Sequence, residues 1–479
     1  MVSAHTGRPE KSGRLFLFLI NYWKFFRAAY TGSMFYLRNF KNFAEAELDL
    51  DQPATLLIGP NGSGKSNLIE AVELLSFLTG GHRLHEVTDI GREGAMEVRG
   101  GLEACARIGS DEFTLGIKTE LALSGTVLPT PIQYEITIRV RPEPRIVGES
   151  LKQPGRNLSI FEIQPQESDT PSADNQVQYD NNAQGRNKPI ESIAADRSAL
   201  SQYSRFALRN KELPETLALI DGLLARLEPP SVIDPIPKQM RGFARRTETL
   251  LARNGYNISP VLLDLWLEKP VATKDSAGKL QRQILHRRDV LERIRKRIAQ
   301  LPDEPFSAFE FIRTKKSGDV MFAFKSGVRG ETIDARLVSD GTLRALAIFT
   351  ALEISPTGSR LVLEELDNGV HPSRVPVLAE ALFECASRNS LHVLATTHNP
   401  ATMNALGQEQ LDSVILVVSG GNEGTARLIR LRELPGYVDF IERGRLGDLV
   451  TRRVYQQHLA PGYESERKTE IEGWINGLP

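Results

Sequence analysis

The sequence predicts an α/β protein with an antiparallel β subdomain and a helical insertion, on three observations. A short apolar run at 54–58 meets a glycine-rich loop and then apolar residues at helical spacing, Leu68, Val72 and Leu75. Residues 98–140 alternate apolar and polar, as in FTLGIKTEL and IQYEITIRVR, the pattern of an antiparallel meander. From Phe306 to Val418 the periodicity runs strand, helix, strand, helix, strand, the order that builds a parallel sheet.

Taken in order, residues 1–33 form an N-terminal extension. Its apolar run at 15–20 is broken by Lys24 and Arg27, too early for a span of roughly 20 apolar residues, so no membrane association is expected. The segment is either partner-binding or precedes a true start at Met34. Residues 34–150 hold the strands, the glycine loop and the meander; 151–190 are polar and read as a loop or linker. Residues 191–305 read as a mostly helical insertion. It ends in an arginine-rich helix from Lys279 to Leu301, with Ile284, Leu291, Ile294, Ile298 and Leu301 on one stripe. Residues 306–432 form the second α/β lobe, and 433–479 a helical tail.

Net charge is −1 over 479 residues, so nucleic-acid contact would need a local patch. The arginine-rich helix, with Arg287, Arg288 and Arg295, is the candidate for DNA, against the plainer reading of a solvated amphipathic face. Cys105 and Cys385 lack metal-ligand spacing and fit a reducing, cytoplasmic compartment.

Gly59-Pro60-Asn61-Gly62-Ser63-Gly64-Lys65-Ser66, followed by Asn67, fits G-x-x-x-x-G-K-[ST] between a strand and a helix. Such a loop turns backbone N–H groups onto phosphates. Lys65 would neutralise the β and γ phosphates of ATP and Ser66 would ligate Mg²⁺. The run Leu361-Val362-Leu363 ends in Glu364 and Glu365, a like-charged pair that a cation and a polarised water would make sensible. Glu364 suits the Mg²⁺ role on a strand adjacent to the loop, and Glu365 the polarisation of the attacking water. Ser339-Asp340-Gly341 precede an apolar helix. Ser339 can cap it, or its hydroxyl and the exposed N–H groups can bind a γ-phosphate supplied by a second copy of the chain. His398 follows the apolar strand in LHVLATTHNP, placed to hydrogen-bond the γ-phosphate.

The ordered set GPNGSGKSN, LVSDGT, LVLEELDNGVHP and ATTHNP resembles the ABC-type P-loop ATPases of the RecF, SMC and OLD kind. It is most similar to the stand-alone AAA-type relatives in bacterial defence loci. The resemblance implies an ABC-type ATPase head, with Lys65 and Ser66 in Walker A and Ser339-Asp340-Gly341 in the signature loop. It places Glu364 and Glu365 in Walker B, Asp367 and Asn368 in the D-loop that lies between the two protomers, and His398 as the switch histidine. Asp340 stands where transporter-type relatives have glycine, Glu364 where Asp is usual, and Leu366 where many have Pro. The implied cycle is a homodimer, or higher homo-oligomer, closed around ATP and released by hydrolysis to ADP and phosphate.

OLD-type relatives add a Toprim nuclease. Only 81 residues follow His398, without an Asp-x-Asp triplet, so a separate effector protein is expected. The leading expectation is an ATPase sensor and switch in anti-phage defence. The alternatives are a RecF-like DNA repair ATPase and a nucleotide-dependent scaffold with little turnover.

Overall fold

The computed structural model describes residues 32–91, 94–122, 128–165, 174–182, 188–207, 214–267, 269–274, 280–285, 287–302, 306–328, 330–420, 424–463 and 467. Most of the N-terminal extension lies outside them. The chain divides into two units, Met1–Asp51 with Phe77–Glu228, and Gln52–Ser76 with Pro229–Pro479. The α/β class holds.

The first unit is an antiparallel sheet. Its strand order is Ile190–Ala194, Asp174–Tyr179, Phe161–Ile163, Arg145–Lys152, Thr130–Arg139, Glu112–Leu121, Met34–Phe40 and Phe43–Asp49. Alternation sets the faces: Ile132, Tyr134, Ile136 and Ile138 are buried on one strand, Phe113, Leu115 and Ile117 on its neighbour. Leu219, Ile220 and Leu223 are the buried face of the helix Pro214–Arg226.

Two expectations change here. Residues 98–108 do not join the meander, because Gly100 and Gly101, at φ 79° and 67°, turn the chain into a short 3₁₀ segment at Leu102–Ala104. The polar stretch 151–190 is not simply a linker. It contributes the strands Phe161–Ile163 and Asp174–Tyr179, the latter with Asn175, Val177 and Tyr179 buried in alternation. Much of QPQESDTPSADNQ lies outside the described residues.

The second unit carries a mostly parallel sheet in the order Thr425–Arg430, Val414–Gly420, Ala54–Ile58, His392–Thr397, Arg360–Leu363 and Ser231–Ile233. Only the first pairing is antiparallel. Ala54–Ile58 is buried at every position, the pattern of a strand covered on both faces. The helix Asp340–Ile354 is buried almost all round, so it is a core helix rather than a surface one. A separate three-stranded antiparallel sheet, Phe306–Arg313, Val320–Ser326 and Thr332–Asp334, brings Phe306, Phe309, Phe322 and Phe324 together.

The arginine-rich segment also differs from expectation. Leu280–Leu285, which includes Ile284, is a strand paired antiparallel with Lys269–Lys274, and the helix begins only at Arg288. Leu291, Ile294 and Ile298 are its buried stripe, and Arg297 is buried with them.

Candidate functional site

Three parallel strands fix the site. Ala395 pairs with Leu363 on one side and with Leu56 on the other, and Thr397 pairs with Ile58. Their C-terminal ends therefore open on one sheet edge, where open α/β sheets bind ligands. The P-loop, the acid pair and His398 all leave that edge. Contrary to expectation, the acid-bearing strand is not the immediate neighbour of the P-loop strand: the strand ending at Thr397 lies between them.

The P-loop is tight because its backbone passes close to the next strand. A Cβ on Gly59 would lie 2.3 Å from the Val417 carbonyl oxygen. Gly62 and Gly64, at φ 78° and 115°, adopt conformations that side chains resist. Asn61 and Gly62 are exposed, Pro60, Ser66 and Asn67 half-buried, and Ser63, Gly64 and Lys65 buried. Lys65 Nζ turns back to donate to the carbonyls of Gly59 at 2.7 Å and Pro60 at 2.9 Å. Burial pushes the Lys65 pKa below its ordinary value, and the Glu365 carboxylate opposes that shift. The lysine and Glu365 thus act on each other across the sheet edge. The helix Lys65–Thr79 points its N-terminus at the loop, a ready anion site.

Glu364 and Glu365 are held differently. Glu364 N–H donates to the Ile233 carbonyl at 3.2 Å, prolonging the ladder. Its carboxylate takes a hydrogen bond from Arg253, whose other terminal nitrogen reaches Glu73 at 3.2 Å. Glu365 sits at φ 44°, a left-handed conformation that costs a non-glycine residue about 1–3 kcal/mol. Thr396 Oγ1 accepts from its N–H at 2.9 Å, and Asn368 Nδ2 donates to its carboxylate at 3.1 Å. His398 Nδ1 lies 3.8 Å from the Glu365 carboxylate.

Asp367 is not on a surface. It is 2% exposed and accepts from Thr397 Oγ1 at 2.6 Å and from Thr402. Its carboxylate ties the acid loop to the histidine loop within one chain, rather than facing a second copy; Asn368 is exposed.

Ser339 caps the helix Asp340–Ile354, accepting from Thr342 N–H at 3.2 Å. Both Ser339 and Asp340 are exposed. Arg374 donates to Ser339 Oγ at 3.3 Å and Thr342 Oγ1 at 2.8 Å, and Arg241 pairs with Asp340 at 2.5 Å. A Cβ on Gly341 would meet the Gly369 carbonyl at 3.3 Å, so this loop packs on the one that follows the acids.

The sequence reading missed Arg253, Arg374, Thr396 and Glu73. Only Thr396 lay within one of the motifs, ATTHNP. The arginines of the helix Arg288–Ala299 find partners inside the unit. Arg293 and Arg297 pair with Glu353, Arg295 with Glu292, and Arg288 lies over the Trp266 ring. That favours the amphipathic face over a DNA contact.

Ser66, Glu70 and Glu73 recur at i, i+4 and i+7, one face of a helix. Burial raises the Glu73 pKa, Arg253 lowers it, and the carboxylates of Glu364 and Glu70 add to the rise. Through Arg253, Glu364 is linked to the helix face that bears Ser66. A hydroxyl and a carboxylate are the hard oxygen donors that Mg²⁺ takes alongside phosphates and water. Among the described residues no group of three or more His, Cys, Asp or Glu is arranged to hold a metal by itself. Among them, too, no helix is long and apolar enough to cross a membrane.

Residues 54–404 match the family model described as "AAA domain, putative AbiEii toxin, Type IV TA system". The chain is similar to the DNA replication and repair protein RecF of Picosynechococcus sp., 36% identical over 97 residues, 19% of this chain and 25% of that protein. It is also similar to RecF of Gloeobacter violaceus, 58% identical over 40 residues, 8% of this chain and 11% of that protein. These matches span a quarter or less of the relatives' length. Among solved structures, an SMC head bound to the C-winged helix domain of ScpA is matched at TM-score 0.42 and 13% identity, over 83% of this chain and 96% of that one. The SMC head domain from Thermotoga maritima is matched at 0.36 and 13%, over 83% and 98%.

Proposed function

The chain belongs to the AAA-domain family whose model spans residues 54–404, and on that premise we propose that it binds ATP with Mg²⁺ and hydrolyses it. The observation that carries this reading is the shared sheet edge, where the P-loop, Glu364–Glu365 and His398 leave adjacent parallel strands in register.

The amides of residues 59–67 and Lys65 would hold the phosphates, with the helix N-terminus adding its positive end. Ser66 and Glu364 would hold the cation, which when bound neutralises charge on the phosphate oxygens. Glu365 accepts a proton from the attacking water, with His398 beside it to hydrogen-bond the γ-phosphate. The strained backbone at Glu365, pinned through Thr396, aims that carboxylate. Catalysis of this kind is mostly positioning and electrostatics.

Ser339, Asp340 and Gly341 gather around Arg374 and Arg241 on an exposed helix start, available to a second copy's nucleotide. ATP-bridged dimerisation, with release on hydrolysis, is therefore part of the proposal. Its biological role would be a switch in anti-phage defence acting on a separate effector, a reading that the toxin–antitoxin description of the family supports. A RecF-like role in DNA repair is the second reading, supported by the RecF relatives.

The test is Glu365→Gln. Losing the base should cut ATP turnover about 10²–10⁴-fold while fluorescent-nucleotide binding persists, and light scattering should show an ATP-dependent dimer that outlives that of the wild type. Equal turnover in both proteins would overturn the assignment of Glu365. Binding without turnover in either would leave the nucleotide-dependent scaffold.

A further inference from the structure

We propose that Arg253 is a positioning residue that competes with the nucleotide's cation for Glu364, so that the magnesium demand of the site is set by a displaceable internal guanidinium. This inference rests on the reading of the P-loop as a magnesium–ATP site. Arg253 bridges two elements of that site, one terminal nitrogen on Glu364 and the other 3.2 Å from Glu73. Glu73 belongs to the helix that begins Lys65-Ser66 and lies seven residues beyond Ser66, on the same face. The guanidinium therefore joins the carboxylate at the strand end to the helix face that carries the hydroxyl.

Charge makes the contact competitive. The carboxylates of Glu364 and Glu70 both act on Glu73, and Arg253 opposes them. A divalent ion taking an oxygen of Glu364 would meet the guanidinium on the same carboxylate, and like charges at such range disfavour sharing.

The build of the segment lets one partner yield. The backbone at Arg253 is fixed, because its carbonyl accepts from Asp234 N–H at 2.8 Å and the Asn254 carbonyl accepts from Ile236 N–H at 2.9 Å. Asn257 knots the same segment, accepting from Ala252 N–H at 2.9 Å and donating to the Glu248 carbonyl at 3.0 Å. The Arg253 side chain, by contrast, is 52% exposed while Glu364 is 16% exposed. A half-exposed arm on a rigid base can swing into water more freely than the mostly covered Glu364 at the strand end.

The experiment uses the full chain and a fluorescent ATP analogue, titrated with magnesium and, in parallel, bound in EDTA. For Arg253→Ala the magnesium giving half-maximal binding is expected to fall about tenfold, corresponding to about 1.4 kcal/mol, with binding in EDTA unchanged. Arg253→Lys, which keeps the charge but lacks the rigid, two-armed guanidinium fork, should fall between alanine and the wild type, with a thermal melt recorded to verify folding. An unchanged or higher magnesium requirement in both variants would overturn the competition, and so would equal loss of binding with and without magnesium, the mark of a purely structural residue. Should the wild type itself bind no nucleotide, the P-loop reading fails first, and the inference with it.

Discussion

Glu353, near the end of the helix Asp340–Ile354, has no exposed side-chain surface and is met by Arg293, Arg297 and Arg388. Glu365, in the same unit, is 44% exposed, takes a neutral hydrogen bond from Asn368 and has His398 3.8 Å away. The first carboxylate is saturated with cations drawn from two other helices. The second is fixed through its backbone, by a left-handed φ and the Thr396 hydroxyl, and its charge opposes the fall in the Lys65 pKa that burial causes. The acid that holds helices together is neutralised on every side; the acid proposed as the base is aimed and left accessible. Glu364 lies between these designs, paired with the half-exposed Arg253.

The largest effect should come from breaking the saturated centre. Glu353→Ala leaves Arg297, 8% exposed, with Glu384 as its remaining acidic partner. Removing one member of a buried ion pair typically costs about 3–5 kcal/mol, so chemical denaturation should show a loss of that order. Nucleotide affinity per folded molecule should be unchanged. A Glu353→Ala protein that unfolds like the wild type would dissolve the contrast, because Glu353 would then be no more structural than Glu365.

The two centres were not equally legible in the sequence. The P-loop was readable because strand, glycines, lysine and serine are consecutive, and local backbone geometry fixes their roles. Glu365 was readable because the apolar run ended in two acids. Glu353 was not, because Arg293, Arg297 and Arg388 lie on helices distant in sequence, and only tertiary packing turns them onto one carboxylate. The same cause left two readings of the arginine-rich helix open: a run of arginines looks alike whether it faces water or a buried acid. Arg253 sits in an irregular segment whose course is set by Asn257 and by pairing beside Ser231–Ile233, none of which leaves a periodic mark. The strand Asp174–Tyr179 was hidden because its inward positions include Asn175, whose amide is satisfied by the Ile146 carbonyl at 2.8 Å.

A smaller effect would sharpen the other side of the comparison. Thr396→Val keeps the shape of a side chain that is 2% exposed and removes the oxygen that accepts from Glu365 N–H. One such hydrogen bond is worth about 0.5–1.5 kcal/mol, and the strained φ at Glu365 would no longer be held. Turnover should fall several-fold, up to about tenfold, with KM nearly constant and a small loss of stability. A change in KM at constant kcat would mean that Thr396 serves nucleotide binding rather than the aim of the base.

The smallest effect separates the centres by pH. Burial drives the Glu353 carboxyl up, but the guanidiniums of Arg293 and Arg388 outweigh it and hold its pKa below the ordinary value. An acid with a depressed folded pKa contributes stability that is complete above its unfolded value of about 4.3. That contribution is lost as pH falls through the folded value. The stability gap between the wild type and Glu353→Gln should therefore be constant from about pH 7 to pH 5 and close below about pH 4. Glu149 in the other unit runs the opposite way. Its burial outweighs the hydrogen bonds from Leu200 N–H, Ser198, Ala199 N–H and Tyr134 and leaves its pKa raised, so its protonation favours the folded state as pH falls. Measuring the gap between wild type and variant, rather than the wild type alone, cancels Glu149 and isolates the Glu353 centre. A gap that stayed open at pH 3 would show that the three arginines hold Glu353 by packing and hydrogen bonds that survive its protonation, not by charge.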